Sequence, residues 1–69
     1  MNRKDIIHWL IETQTSLILT TRLILSAETR HPDSEEKINE LLRNNLPTYF
    51  NDIKFCVEHL TECLKEELE

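Results

Sequence analysis

Not one of the 69 residues is glycine, and only two are proline. Tight turns that need a positive φ therefore have no easy residue to use, which counts against a chain of short strands joined by hairpins. Leu, Ile, Glu, Thr and Asn dominate while Val appears once, a balance that favours helix over strand. With so few breakers, the chain is expected to form a small number of long helices. The fold class expected is all-α: an antiparallel helical hairpin in one domain spanning residues 1–69.

The first helix is expected over about residues 3–30. Asn2 is a good N-cap, and Asp5 three residues later suits the reciprocal role of a capping box. No breaker follows until His31-Pro32, where the residue before proline is pushed out of the α region. The turn is His31-Pro32-Asp33-Ser34, with Asp33 and Glu36 placed for a second capping box. A second helix then runs over about 34–44 to Asn44-Asn45-Leu46-Pro47. Proline costs a helix interior a hydrogen bond but suits a first turn, so the sequence predicts a kink or, by a small margin, a break there. The last helix covers about 47–67. Its acidic final residues oppose the helix dipole, so a frayed last turn is expected.

At about 100° per residue, Ile6, Ile7, Leu10, Ile11, Leu17, Ile18, Ile24 and Leu25 form one broad apolar stripe on the first helix. Trp9, Leu19, Leu23 and Ala27 lie on another side. From Thr13 to Thr21 there is no charge at all, although four threonines, a serine and a glutamine dilute the apolar content. Near the C-terminus, Leu46, Ile53 and Leu60 alternate with Leu42, Tyr49, Cys56 and Cys63 as in heptad a and d positions, flanked by Phe50, Val57 and Leu64. One seam between two arms cannot cover both faces of the first helix. Pairing of two hairpins into a helical bundle resolves the excess, making the chain a homodimer. A chain this short buries only about 60% of its unfolded surface, which points the same way. The expected oligomer interface is Ile7, Leu10, Ile11, Leu17, Ile18, Ile24 and Leu25. Trp9, Leu19, Leu23 and Phe55 are the candidate surface for a protein partner.

Chemistry-bearing motifs are sparse. Cys56, His59 and Cys63 occupy adjacent turns at spacings of three and four and are the candidate metal ligands, with His8 or His31 available as a fourth. Both cysteines fall on the apolar stripe, however, where small hydrophobic residues belong, and structural zinc sites favour paired C-x2-C loops. Packing is the stronger reading, so no metal and no cofactor are expected. Two cysteines do not define a disulfide framework. His8 beside Asp5 has no nucleophile near it, no glycine loop is present to cradle phosphate, and the chain is short for an ordinary pocket. An enzyme is not expected, and no catalytic residue is assigned.

The net charge is −5 and the eight basic residues are scattered, which disfavours direct nucleic-acid binding. No apolar run is long enough to span a bilayer, and no leader opens the chain, so a cytoplasmic location and no membrane association are expected. In length and helix arrangement the chain resembles small helical hairpins such as the plasmid RNA-binding hairpin Rop and the small co-chaperones of bacterial secretion systems. That likeness carries over no residues. The function expected is a non-enzymatic adaptor, co-chaperone or regulator that binds another protein. The alternatives are a Rop-like nucleic-acid-associated regulator, such as a phage or mobile-element accessory protein, and a metal-responsive helix.

Overall fold

Two helices account for nearly all of the chain in the computed structural model, which describes residues 2–68, with side chains through residue 66. Helix α1 runs Arg3–Arg30 and α2 runs Glu35–Leu68, packed against each other in an antiparallel hairpin. At about 1.5 Å per residue, the 34 residues of α2 account for the long dimension of the molecule. The extents are 52 × 15 × 12 Å. Among the described residues there are only the two helices, packed side by side. The molecule is therefore a single layer. Its radius of gyration, 15.8 Å, is well above the roughly 11 Å that a compact chain of this length adopts.

The turn dispenses with glycine. His31 closes α1 at φ −131° and donates its N–H to the Ala27 carbonyl at 3.1 Å. Pro32 and Asp33 then form a β-turn closed by the Ser34 N–H on the His31 carbonyl at 3.2 Å. Proline at the second turn position fixes φ near −65°, and no described residue has a positive φ.

Both caps differ from the sequence expectation. Asn2 does occupy the N-cap of α1, with its carbonyl accepting from the N–H groups of Asp5 and Ile6, but its side chain caps nothing. The α2 cap is Ser34, one residue beyond the Asp33 expected from sequence: Ser34 Oγ accepts the Lys37 N–H at 3.3 Å. Asp33 is used up by the turn that Pro32 imposes. Residue three after Ser34 is Lys37, which cannot return the bond, so no capping box forms.

The expected break at Pro47 is absent, because α2 continues through it. Pro47 is exposed, and at about 100° per residue it sits on the side of α2 diametrically opposite Cys56, which faces α1. The lost hydrogen bond and the steric clash thus fall on the solvent side. Leu42, Leu46, Tyr49 and Ile53, around it in sequence, all remain half-buried toward α1. The helix is held through the proline by packing rather than by propensity. At the far end α2 reaches Leu68, and Glu69, part of the expected frayed turn, lies outside the described residues.

Pro47→Ala should raise stability by about 2 kcal/mol, since a helix-interior proline costs about 3 kcal/mol and its stiffening of the unfolded chain returns up to about 1. Urea titrations of the two proteins check this, an increase in midpoint without a change in slope being the expected result.

Candidate functional site

The seam between the helices is made of small and hydroxyl side chains on the α1 side. Ile6, Trp9, Thr13, Ser16, Thr20, Leu23 and Ala27 recur at steps of three and four, and all are half-buried or buried. Ala27 is wholly buried, and Thr20 is 8% exposed. Threonine in a seam needs a partner for its hydroxyl. Thr13 Oγ1 donates to the Trp9 carbonyl and Thr20 Oγ1 to the Ser16 carbonyl, each at 2.7 Å. Bonding back to the residue four earlier satisfies the hydroxyl without a partner on the other helix. Among the described residues no buried side-chain polar atom lacks a hydrogen bond. On α2 the seam carries Ile38, Leu42, Tyr49, Ile53, Cys56, Leu60 and Cys63, following the heptad pattern read from sequence. Ser16 Oγ and Cys56 Sγ, 3.9 Å apart, mark where the two helices meet.

This seam takes Ile6 from the broad α1 stripe and leaves the rest of it outside. Ile7, Leu10, Ile11, Leu17, Ile18 and Leu25 are between 43% and 56% exposed, and Ile24 is half-buried. Measured around α1 from Ser16, Leu10, Leu17 and Ile24 lie at about +80° to +120°, and Ile7, Ile11, Ile18 and Leu25 lie farther round on the back. Around α2 from Cys56, Phe50, Val57 and Leu64 occupy the same +80° to +120° sector. They too are exposed. In an antiparallel pair, equal rotations from the seam lead to the same side of the hairpin. Leu10, Leu17 and Ile24 therefore share one side with Phe50, Val57 and Leu64, in two rows each spaced by seven. The half-buried Leu46, Ile53 and Leu60 lie between the rows.

The opposite side holds a groove of about 480 Å³, lined from α1 by His8, Trp9, Glu12 and Leu19 and from α2 by Asp52 and Phe55, among others. Aromatic rings cluster beside it. Trp9 stacks on His59, with centroids 4.5 Å apart and planes at 30°, and meets the edge of Phe55 at 5.8 Å and 71°. His8 stands against the indole at 4.9 Å and 75°, and Phe55 lies 4.2 Å from His59. His59 Nδ1 is 2.9 Å from the Phe55 carbonyl. A carbonyl only accepts, so Nδ1 is the protonated nitrogen.

Four residues were expected to present a partner surface. Leu19 and Phe55 are exposed, at 46% and 54%. Trp9 and Leu23 instead belong to the seam, half-buried against α2. The placing of Trp9 off the principal seam is thus corrected. The seam beside it is built from threonine and serine, so large apolar residues alone do not mark its course. The three- and four-residue recurrence of Thr13, Ser16, Thr20 and Ala27 was the available signal.

Cys56, His59 and Cys63 do not form a chelating group. Among the described residues, no three His, Cys, Asp or Glu side chains gather so as to hold a metal ion. Cys56 is buried against Ser16, and His59 is turned to the Phe55 carbonyl and Trp9. Both cysteines are free thiols. Burial, followed by the carboxylates of Asp5, Glu66 and Glu62, pushes the Cys63 thiol above its usual value. No helix among the described residues is long and apolar enough to cross a membrane. No known family, curated protein or solved structure matches the chain.

The raised Cys63 thiol sets a pH dependence. The thiolate is the nucleophile, so an upward shift lowers its fraction at a given pH and moves the rise of the alkylation rate to higher pH. Iodoacetamide labelling read by peptide mass spectrometry should show Cys63 reacting more slowly at pH 8 than a free cysteine peptide. Removing one acidic neighbour, as in Glu62→Gln, should bring the profile back toward lower pH.

Proposed function

We propose that the chain is a non-enzymatic protein-interaction module, an adaptor, co-chaperone or regulator of the cytoplasm, and that it works as a homodimer of stacked hairpins. The observation that carries this reading is the continuous apolar side formed by Leu10, Leu17 and Ile24 with Phe50, Val57 and Leu64, joined by the apolar back of α1. Soluble monomers rarely keep such a patch in water. Domains bury their apolar faces between two packed layers, and the hairpin supplies one.

A second copy is the occupant whose size fits. The chain exposes 5619 Å², whereas a compact protein of 8.3 kDa exposes about 4,600 Å² by the usual scaling with mass. The excess, about 1,000 Å², is close to the roughly 800 Å² that each partner gives up in a standard interface. The side chains of the two rows are themselves uncharged. Among the described residues no large side chain is fully buried, so the lone hairpin has almost no core to lose.

Leu17→Lys separates the two cases. Leu17 is 49% exposed in the hairpin, and a surface substitution typically changes stability by no more than about 0.5 kcal/mol. In the paired bundle the same change places a charge in the interface, and dissociation removes the fold with it. Sedimentation equilibrium at micromolar concentration should give twice the chain mass for the parent and the chain mass for the variant, with loss of helical circular dichroism. A parent that is monomeric and fully helical would overturn the reading.

A further inference from the structure

The groove beside Trp9 is not used by the pairing of hairpins. It lies on the side opposite the apolar rows and within one hairpin, so pairing through those rows would leave it open. Trp9 is half-buried, and Phe55 and His8 stand nearly upright against the indole, at 71° and 75°. His59 stacks on one face of the indole while Phe55 and His8 stand at steep angles to it, so ring faces of different direction border the groove. The negative quadrupole of such faces attracts a positive charge within about 6 Å. Two carboxylates, Glu12 and Asp52, line the same groove and are exposed. Among the described residues the single ion pair is Lys54–Glu58, so neither carboxylate is neutralised by a basic side chain. The volume, about 480 Å³, is within the roughly 300–1,000 Å³ of small-molecule sites. Rings and carboxylates repel an anion alike, and a neutral apolar guest would leave the carboxylates idle.

We propose that this groove binds an organic cation, its head against the Trp9 and Phe55 rings and its charge balanced by Glu12 and Asp52. Methylated ammonium and guanidinium heads share the required chemistry. Both are weakly hydrated, both are attracted to π-faces, and both pair with carboxylates. A bare lysine ammonium is more strongly hydrated and gives up more on leaving water.

Trp9 is the only tryptophan in the chain, so its fluorescence reports on this site alone. The protein is titrated at fixed ionic strength with choline and, separately, with its neutral isostere 3,3-dimethyl-1-butanol. A second pair is N-acetylarginine amide and N-acetylcitrulline amide. The expected result is a saturable change with one or both cations that the matching neutral compound does not produce. The stronger of the two cations tells a methylated ammonium from a guanidinium. The double variant Glu12→Gln/Asp52→Asn should weaken binding by roughly fivefold or more, and Phe55→Ala by a similar factor, as expected for loss of a charge pair or a cation–π wall. Both lie at exposed positions, and circular dichroism checks that each variant keeps its helices. Equal responses to the cation and its neutral isostere, no saturation with either cation, or an unchanged affinity in the double variant would overturn the proposal.

Discussion

Close approach of two helices requires small side chains between them, and in this chain α1 supplies Thr13, Ser16, Thr20 and Ala27 along the middle and turn end of the seam. Threonine and serine in that position would ordinarily bring unpaired hydroxyls into a dry contact. The i−4 bonds of Thr13 and Thr20 remove the difficulty inside α1 itself. The consequence is that a narrow, partly polar seam holds the hairpin together and admits, of the leucines and isoleucines of α1, only Ile6 and Leu23, leaving the others outside it. They are directed outward because the inward positions are already taken by residues of another size.

The two helices answer this constraint differently. The back of α2 is conventional, with Arg43, Lys54, Glu58 and Lys65 on or near the side away from α1 and a Lys54–Glu58 pair one turn apart. Such a pair at 3.9 Å between exposed side chains contributes little to stability, but the face it belongs to is plainly one for water. The α1 back carries Ile7, Ile11, Ile18 and Leu25 instead. Between Glu12 and Glu28 its only charge is Arg22. Helix α1 is thus largely apolar on its outside, while the middle of its seam is small and hydroxyl-bearing. That inversion argues for a second layer more strongly than chain length does.

Much of this was legible in the sequence, and what was not has a physical reason. The limits of α1 and the turn follow from His31-Pro32, because proline acts locally and leaves few alternatives. The α2 cap was missed by one residue since Asp33 and Ser34 are both good caps, and the choice depends on the β-turn that Pro32 starts. Pro47 was read as a break on local grounds, yet its cost is paid on the solvent side while the seam residues around it remain packed. The apolar stripe of α1 is legible as an outward surface, whereas the small and hydroxyl residues that face α2 are not legible as a seam. Periodicity tells which residues share a face, and not which neighbour that face meets. The aromatic cluster was invisible for a related reason, since Trp9 and His59 are fifty residues apart and only the register of the hairpin brings them together.

That register also explains why the groove forms where it does. Near the turn the seam is filled by Ala27, which is wholly buried. Toward the open end the corresponding position is Trp9, a side chain too large for the same gap, which stacks on His59 and meets Phe55. The seam thus runs from the single carbon of Ala27, through Leu23 and the smaller Thr20, Ser16 and Thr13, to the indole of Trp9. The bulk of the indole is accommodated on the flank that holds His59, Phe55 and Asp52, and away from the rows of Leu10, Leu17 and Ile24. One mismatch in size thus separates the two sides of the hairpin. The flank that takes up the aromatic rings carries the groove and its polar residues, while the other keeps the exposed rows of Leu10 and Leu17 with Phe50, Val57 and Leu64.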